Sequence, residues 1–123
     1  LDVLVCPEAT RFELYETQFT NCFIHSSRYK NGNLQLSLFG VDPVLNETCH
    51  FADITLEQNK RIFNDNKIVV DAKYKPELIP QLIDLGILIE QVGIFVENST
   101  IYPIFTIDLS KINKNCYAQL VAA

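Results

Sequence analysis

The chain has 123 residues, 48% of them apolar and 20% charged, with 10 Lys and Arg against 15 Asp and Glu. That length fits a single domain, 1–123, able to bury about two-thirds of its unfolded surface, which excludes wholesale disorder. The net charge of −5 argues against a general nucleic-acid binder, which needs a cationic field to displace counterions, and no apolar run approaches the ~18 residues of a membrane span.

In chain order, residues 11–15 read as a short strand and 18–25 as a firmer one. Phe19 and Phe23 are expected on one of its faces, Cys22 and Ile24 on the other. Tyr29-Lys30-Asn31-Gly32-Asn33 follows, where Asn-Gly offers the positive φ angles of a tight hairpin. Leu34, Leu36 and Leu38 then alternate with Gln35 and Ser37, the pattern of a sheet with one wet face. Residues 40–47 read as a loop turning at Asp42-Pro43. In 51–56 the alternation resumes, with Ala52, Ile54 and Leu56 inward and Asp53 and Thr55 outward. Residues 57–67 are polar, a loop or a short helical turn around Ile62-Phe63. Residues 67–72 make another short strand.

One helix is expected, over 76–85. Pro76 suits a first turn, Pro80 disturbs it, and Leu78, Ile79, Leu82, Ile83 and Leu85 form a broad apolar stripe. Gly86 stands where a left-handed C-terminal cap belongs. Residues 87–97 and 101–109 form a last hairpin, and Pro103 places its second strand at an edge or a bulge. Ile112, Cys116 and Leu120 recur at helical spacing and suggest a frayed terminal helix; residues 1–10 and 111–123 read as peripheral. The order of elements defines an α+β fold: an antiparallel sheet of about five to seven strands, one main short helix and a C-terminal hairpin.

The chain holds no methionine and opens at Leu1, so its encoded start is expected to be missing. Cys6, Cys22, Cys49 and Cys116 form no C-x-x-C pair, which leaves a zinc ribbon or thioredoxin-like site without support. Buried free thiols are the favoured expectation. Two disulfides, with the sequons at Asn46 and Asn98, make the extracellular alternative.

Little points to covalent chemistry. His25 and His50 are the two histidines. Cys49-His50 are adjacent on a strand and therefore face opposite ways, which is wrong for a nucleophile and its base. His25 and Cys49 have no metal-ligand spacing, and only their meeting on neighbouring strands would make them metal ligands. The four glycines are scattered and build no phosphate loop. Lys73-Tyr74-Lys75 could stack a base but reads better as a solvated loop. Acids are spread along the chain at Glu8, Glu13, Glu16, Asp42, Glu47, Glu57, Asp65, Glu90 and Glu97, a surface able to imitate nucleic-acid phosphates before a basic partner.

The order Tyr29-Lys30-Asn31-Gly32-Asn33-Leu34, Ala52-Asp53-Ile54-Thr55-Leu56, Leu82-Ile83-Asp84-Leu85-Gly86-Ile87, then Gly93 and Tyr102-Pro103-Ile104, resembles a family of small domains of unknown function carried by bacterial conjugative elements and phages. The likeness spans residues 18–109 and departs from the pattern around 58–67. It implies a bacterial cytoplasm and supplies no catalytic residues.

The expected function is a non-enzymatic accessory binding protein of a phage or mobile element, blocking a host defence factor through an acidic and aromatic surface. Tyr29, Lys30, Tyr74, Glu90 and Tyr102 are its candidate contacts, as aromatics flanked by charge. No cofactor, metal or membrane is expected, nucleic acid is disfavoured, and a homo-oligomer is left open. A small-molecule module with a pocket between sheet and helix, and an extracellular disulfide-bonded domain, are the alternatives.

Overall fold

The structure, a computed structural model, describes residues 2–5, 11–59, 66–111 and 119–122. It is an α+β fold built mainly of antiparallel strands. In chain order these are β1 (Asp2–Val5), β2 (Phe12–Leu14), β3 (Thr17–Arg28), β4 (Leu34–Asp42), β5 (Glu47–Asp53), β6 (Lys67–Val69), α1 (Leu78–Asp84), β7 (Leu88–Glu97), β8 (Thr100–Ile107), the one-turn α2 (Leu109–Lys111) and β9 (Gln119–Ala122). β2-β3-β4-β5 form one sheet and β6-β8-β7 another, while β1 pairs with β9 as a separate ribbon. Of the frayed helix expected over Ile112, Cys116 and Leu120, only Leu120 is described and it lies in strand β9; Ile112 and Cys116 lie outside the described residues. The expected turn around Ile62-Phe63 lies outside the described residues.

The two larger sheets are joined at a seam. Just past β5, Ile54 N donates to Leu36 O (2.8 Å), keeping the chain on β4. One residue on, Thr55 bridges Val70, Leu56 N donates to Val69 O (2.9 Å) and Asp71 N to Ile54 O (2.8 Å). Val70 N in turn donates to Pro103 O (2.9 Å) on β8. Thr55 is therefore buried rather than outward-facing: its Oγ1 accepts from Leu36 N (3.2 Å) and meets the Tyr29 hydroxyl (3.2 Å).

Two bulges rearrange which residues face the core. An extra residue near Asn21, whose φ is +50°, puts Phe19 on the same side as Cys22 and Ile24, and leaves Phe23 on the opposite face, where it is buried and stacked on Phe39. The expected pairing of Phe19 with Phe23 on one face fails for that reason. A second bulge at Phe51 lets Phe51 and Ala52 both lie toward the core, with Phe51 stacked on Phe19 at 4.0 Å. Leu34, Leu36 and Leu38 point inward as their alternation demands. The outer face at Ser37 is not wet, because Ser37 is buried.

β4 continues through Gly40 to Asp42, further than the expected loop allows. A Cβ on Gly40 would lie 2.7 Å from Cys22 Sγ and 3.0 Å from Phe51 Cε1, so the glycine is there for close approach. The turn comes later, where the Asp42 carboxylate accepts from Val44 N (2.7 Å) and Leu45 N (3.1 Å). In the β3–β4 hairpin only Gly32 takes positive φ (+90°); the Asn31 side chain instead donates to Gln58 O.

α1 begins at Leu78, two residues later than expected, after a tight turn in which Leu78 N and Ile79 N reach Lys75 O and Pro76 O. Pro80 is then its third residue, where no intrahelical donor is lost. Leu78 and Leu82 are buried and Ile79 and Leu85 half-buried, whereas Ile83 is exposed, so the apolar stripe is narrower than the sequence suggests. Gly86, at φ +77°, ends the helix: its N–H donates to Ile83 O (2.9 Å) and Ile87 N to Leu82 O (3.1 Å). α1 lies against β2 and β7, the outermost strands of the two joined sheets. Pro103 sits on the central strand β8, not on an edge strand. Val70, just past β6 and next in register, donates to Pro103 O (2.9 Å), and the Val70 carbonyl, which a non-proline residue there would engage, accepts from Ala72 N (3.0 Å) instead.

Candidate functional site

The residues expected to form a contact surface occupy three separate parts of the fold. Tyr29 closes the β3–β4 hairpin half-buried. Burial, opposed by its hydrogen bond to Thr55, raises its phenol pKa above 10.0. Lys30 is exposed at the same turn. Tyr74 is 75% exposed ahead of α1, with Lys73 Nζ 5.2 Å from its ring centre. Glu90 is exposed on β7. Tyr102 is only 8% exposed, opposite Phe95 on the β7–β8 hairpin, and so is a packing residue rather than a surface anchor.

Around the histidines the bulge at Phe51 has a chemical consequence. Cys49 packs against the core beside Gly40, while His50 faces out. Burial first, then the Asp42 and Glu47 carboxylates, push the Cys49 thiol up, which disfavours the reactive thiolate. The bulge also sets His50 and Asp53 on one face, with Nε2 2.9 Å from Oδ1. Ser37 Oγ donates to that same Asp53 oxygen at 2.9 Å. Serine, aspartate and histidine thus meet with the carboxylate in the middle. A nucleophilic triad needs the imidazole there, to take the hydroxyl proton. His25 is held edge-on to Phe39, 6.1 Å between ring centres. Among the described residues no cluster of His, Cys, Asp and Glu has the geometry of a metal site.

The feature the sequence did not reveal lies between α1 and β2. Gln81, on α1, treats β2 as a neighbouring strand would. Its Oε1 accepts from Glu13 N (2.8 Å) and its Nε2 donates to Glu13 O (2.9 Å) and to Glu77 O (2.9 Å). One side-chain amide therefore satisfies both polar groups of the edge residue Glu13. This clamp brings Glu13, Glu16 and Glu77 around an open groove of about 490 Å³, with Gln81 in its lining. No cation among the described residues pairs with these three carboxylates. At the rim, Tyr15 and Glu16 form the β2–β3 turn with φ of +54° and +63°, a left-handed pair made without glycine or asparagine, and Tyr15 is 54% exposed. No turn residue marks this corner, and Glu77 is far from Glu13 in sequence, so nothing short-range could have found the groove.

Comparison with family models, curated proteins and solved structures gives no match. Among the described residues no helix is long and apolar enough to cross a membrane.

Proposed function

We propose that the chain is a non-enzymatic binding protein whose groove between α1 and β2 receives a basic surface of another protein. The observation that carries this reading is the set of three carboxylates, Glu13, Glu16 and Glu77, lining one groove with no paired cation among the described residues. Uncompensated charge in a concave site is focused and draws a complementary partner. Tyr15 adds a large amphipathic contact at the rim, the residue type that most often anchors interfaces. The expected setting, a mobile element in a bacterial cytoplasm with a host defence factor as the blocked partner, rests on the family resemblance and belongs to this proposal.

Capture from host lysate tests it. The wild-type chain should retain a basic protein, and retention should weaken with salt. The double substitution Glu16→Lys and Glu77→Lys should abolish retention without lowering the melting temperature, and Tyr15→Ala should weaken it. Retention unchanged in both variants sinks the reading.

A further inference from the structure

We propose that the protein forms a two-fold dimer through β7, two copies pairing antiparallel over Gly93–Glu97 with Phe95 on the axis. The molecule treats its two outermost strands differently. β2 is three residues long and clamped by Gln81. β7 is ten residues long, ends its sheet, and carries neither proline nor lysine along its length. Natural sheets blunt exposed edges, and a long apolar edge is a template for another strand. Bulges interrupt β7 only before Gly93; from Gly93 to Glu97 its pairing with β8 is regular.

That regular stretch is also where apolar side chains stand in water. Ile94 (57% exposed), Val96 (58%) and Ile101 (64%) share one face, because Ile94 opposes Pro103 and Val96 opposes Ile101. It is the face that carries Phe105 and Ile107 into the core further along β8, so the inner side of the hairpin continues at Ile94, Val96 and Ile101 with no cover among the described residues.

Register and charge select a second copy. The turn Asn98–Ser99 has φ of +50° and +64°, a two-residue hairpin closed by the pair Glu97 and Thr100. Such a closing pair exchanges both its hydrogen bonds, so alternate residues, Val96 and Ile94, turn their N–H and C=O outward. Antiparallel self-pairing about Phe95 sets Ile94 opposite the partner's Val96, outward groups meeting outward groups. It joins Ile94, Val96 and Ile101 of both copies into one apolar band. Glu97 falls opposite the partner's Gly93, and Glu90 lies outside the paired stretch, so no carboxylates oppose each other. A shift by one residue would place outward groups against inward ones.

Light scattering and sedimentation of the full chain over a range of concentrations test the proposal. A monomer–dimer equilibrium is expected, tightening as salt screens the −5 charge of each copy, the reverse of a basic partner's behaviour. Ile94→Pro deletes an outward N–H without touching the β8 ladder. It should weaken the dimer about tenfold or more while the melting temperature holds, and Val96→Lys should do the same. Under mild oxidation Phe95→Cys should cross-link across the axis, since residues opposed without mutual hydrogen bonds come within about 4.5 Å at Cα; Ile94→Cys should not. A chain monomeric at all concentrations, a dimer surviving both Ile94→Pro and Val96→Lys, or cross-linking through Ile94→Cys instead would each overturn it. None of these outcomes depends on the groove at Glu13, whose failure would show separately in the capture experiment.

Discussion

Replacing Gly40 by alanine sets two effects of opposite sign against each other. Gly40 adopts no left-handed conformation, so its backbone accepts alanine. Restricting the unfolded chain would then stabilise the protein by about 0.4–1 kcal/mol. Against this, the new Cβ would stand 2.7 Å from Cys22 Sγ, 3.0 Å from Phe51 Cε1 and 3.2 Å from Phe19 Cβ. None of the three has room to yield. Cys22 is fully buried, and Phe19 and Phe51 are stacked within 4° of parallel. Overpacking of this kind costs about 1–3 kcal/mol, so the steric effect wins and a net loss of about 1–2 kcal/mol is expected. Urea denaturation should show a lower midpoint at unchanged slope, and the melting temperature should fall by roughly 3–8 °C. Cys22→Ala removes the nearest atom. In that background Gly40→Ala should cost about 1 kcal/mol less than in the wild type. If Gly40→Ala is as stable as the parent, the close approach across the β3–β4–β5 sheet is wrong.

Gln81→Ala frees both polar groups of Glu13 and should cost about 1–2 kcal/mol by thermal melting. Gln81→Glu loses the donors and adds a carboxylate among Glu13, Glu16 and Glu77. Its folded pKa is then raised, so its deficit should be largest at pH 7 and shrink as acid protonates the new group, read as the gap from wild type at pH 7 and pH 4.5. Thr55→Val leaves the buried Leu36 N–H without its acceptor and should cost about 1–3 kcal/mol in urea. The raised phenol pKa of Tyr29 means that its contribution is complete below 10.0 and is lost as pH rises from there through the folded value; Tyr29→Phe should flatten that alkaline fall in melting temperature. Ser99→Gly relieves a left-handed serine in the β7–β8 turn and should raise stability by about 0.5–1 kcal/mol, checked by calorimetry.

Local chemistry made much of the fold legible. The alternating leucines of β4, Leu78 and Leu82 of α1 and the glycine that ends the helix are each decided by residues within a turn or two, and each stands where the sequence puts it. The bulges are another matter. Phe51 carries no mark that distinguishes it from an ordinary strand residue, and Asn21, though asparagine tolerates its φ of +50°, stands singly in an otherwise regular pattern; each shifts the inward face of its strand by one. That shift separates Phe19 from Phe23 and sets His50 beside Asp53. Thr55 looked outward by alternation, and its burial depends on β6 arriving from elsewhere to form the seam. Tyr102 was expected at a contact surface as one of the aromatics taken to stand among charges; opposite Phe95 it is enclosed. The groove was least visible of all. It needs Gln81 to grip a strand far away in sequence, a long-range event that composition cannot announce.

The three residues Ile54 to Leu56 belong to two neighbourhoods at once, giving an amide and a hydroxyl to β4 on one side and, on the other, an amide to β6 and a carbonyl to Asp71 just beyond it. Neither half can therefore melt alone without stripping polar groups from its neighbour. Heat or denaturant should take both halves in a single step, and the amides of Ile54, Leu56, Val70 and Asp71 should exchange with solvent only as slowly as the whole molecule opens.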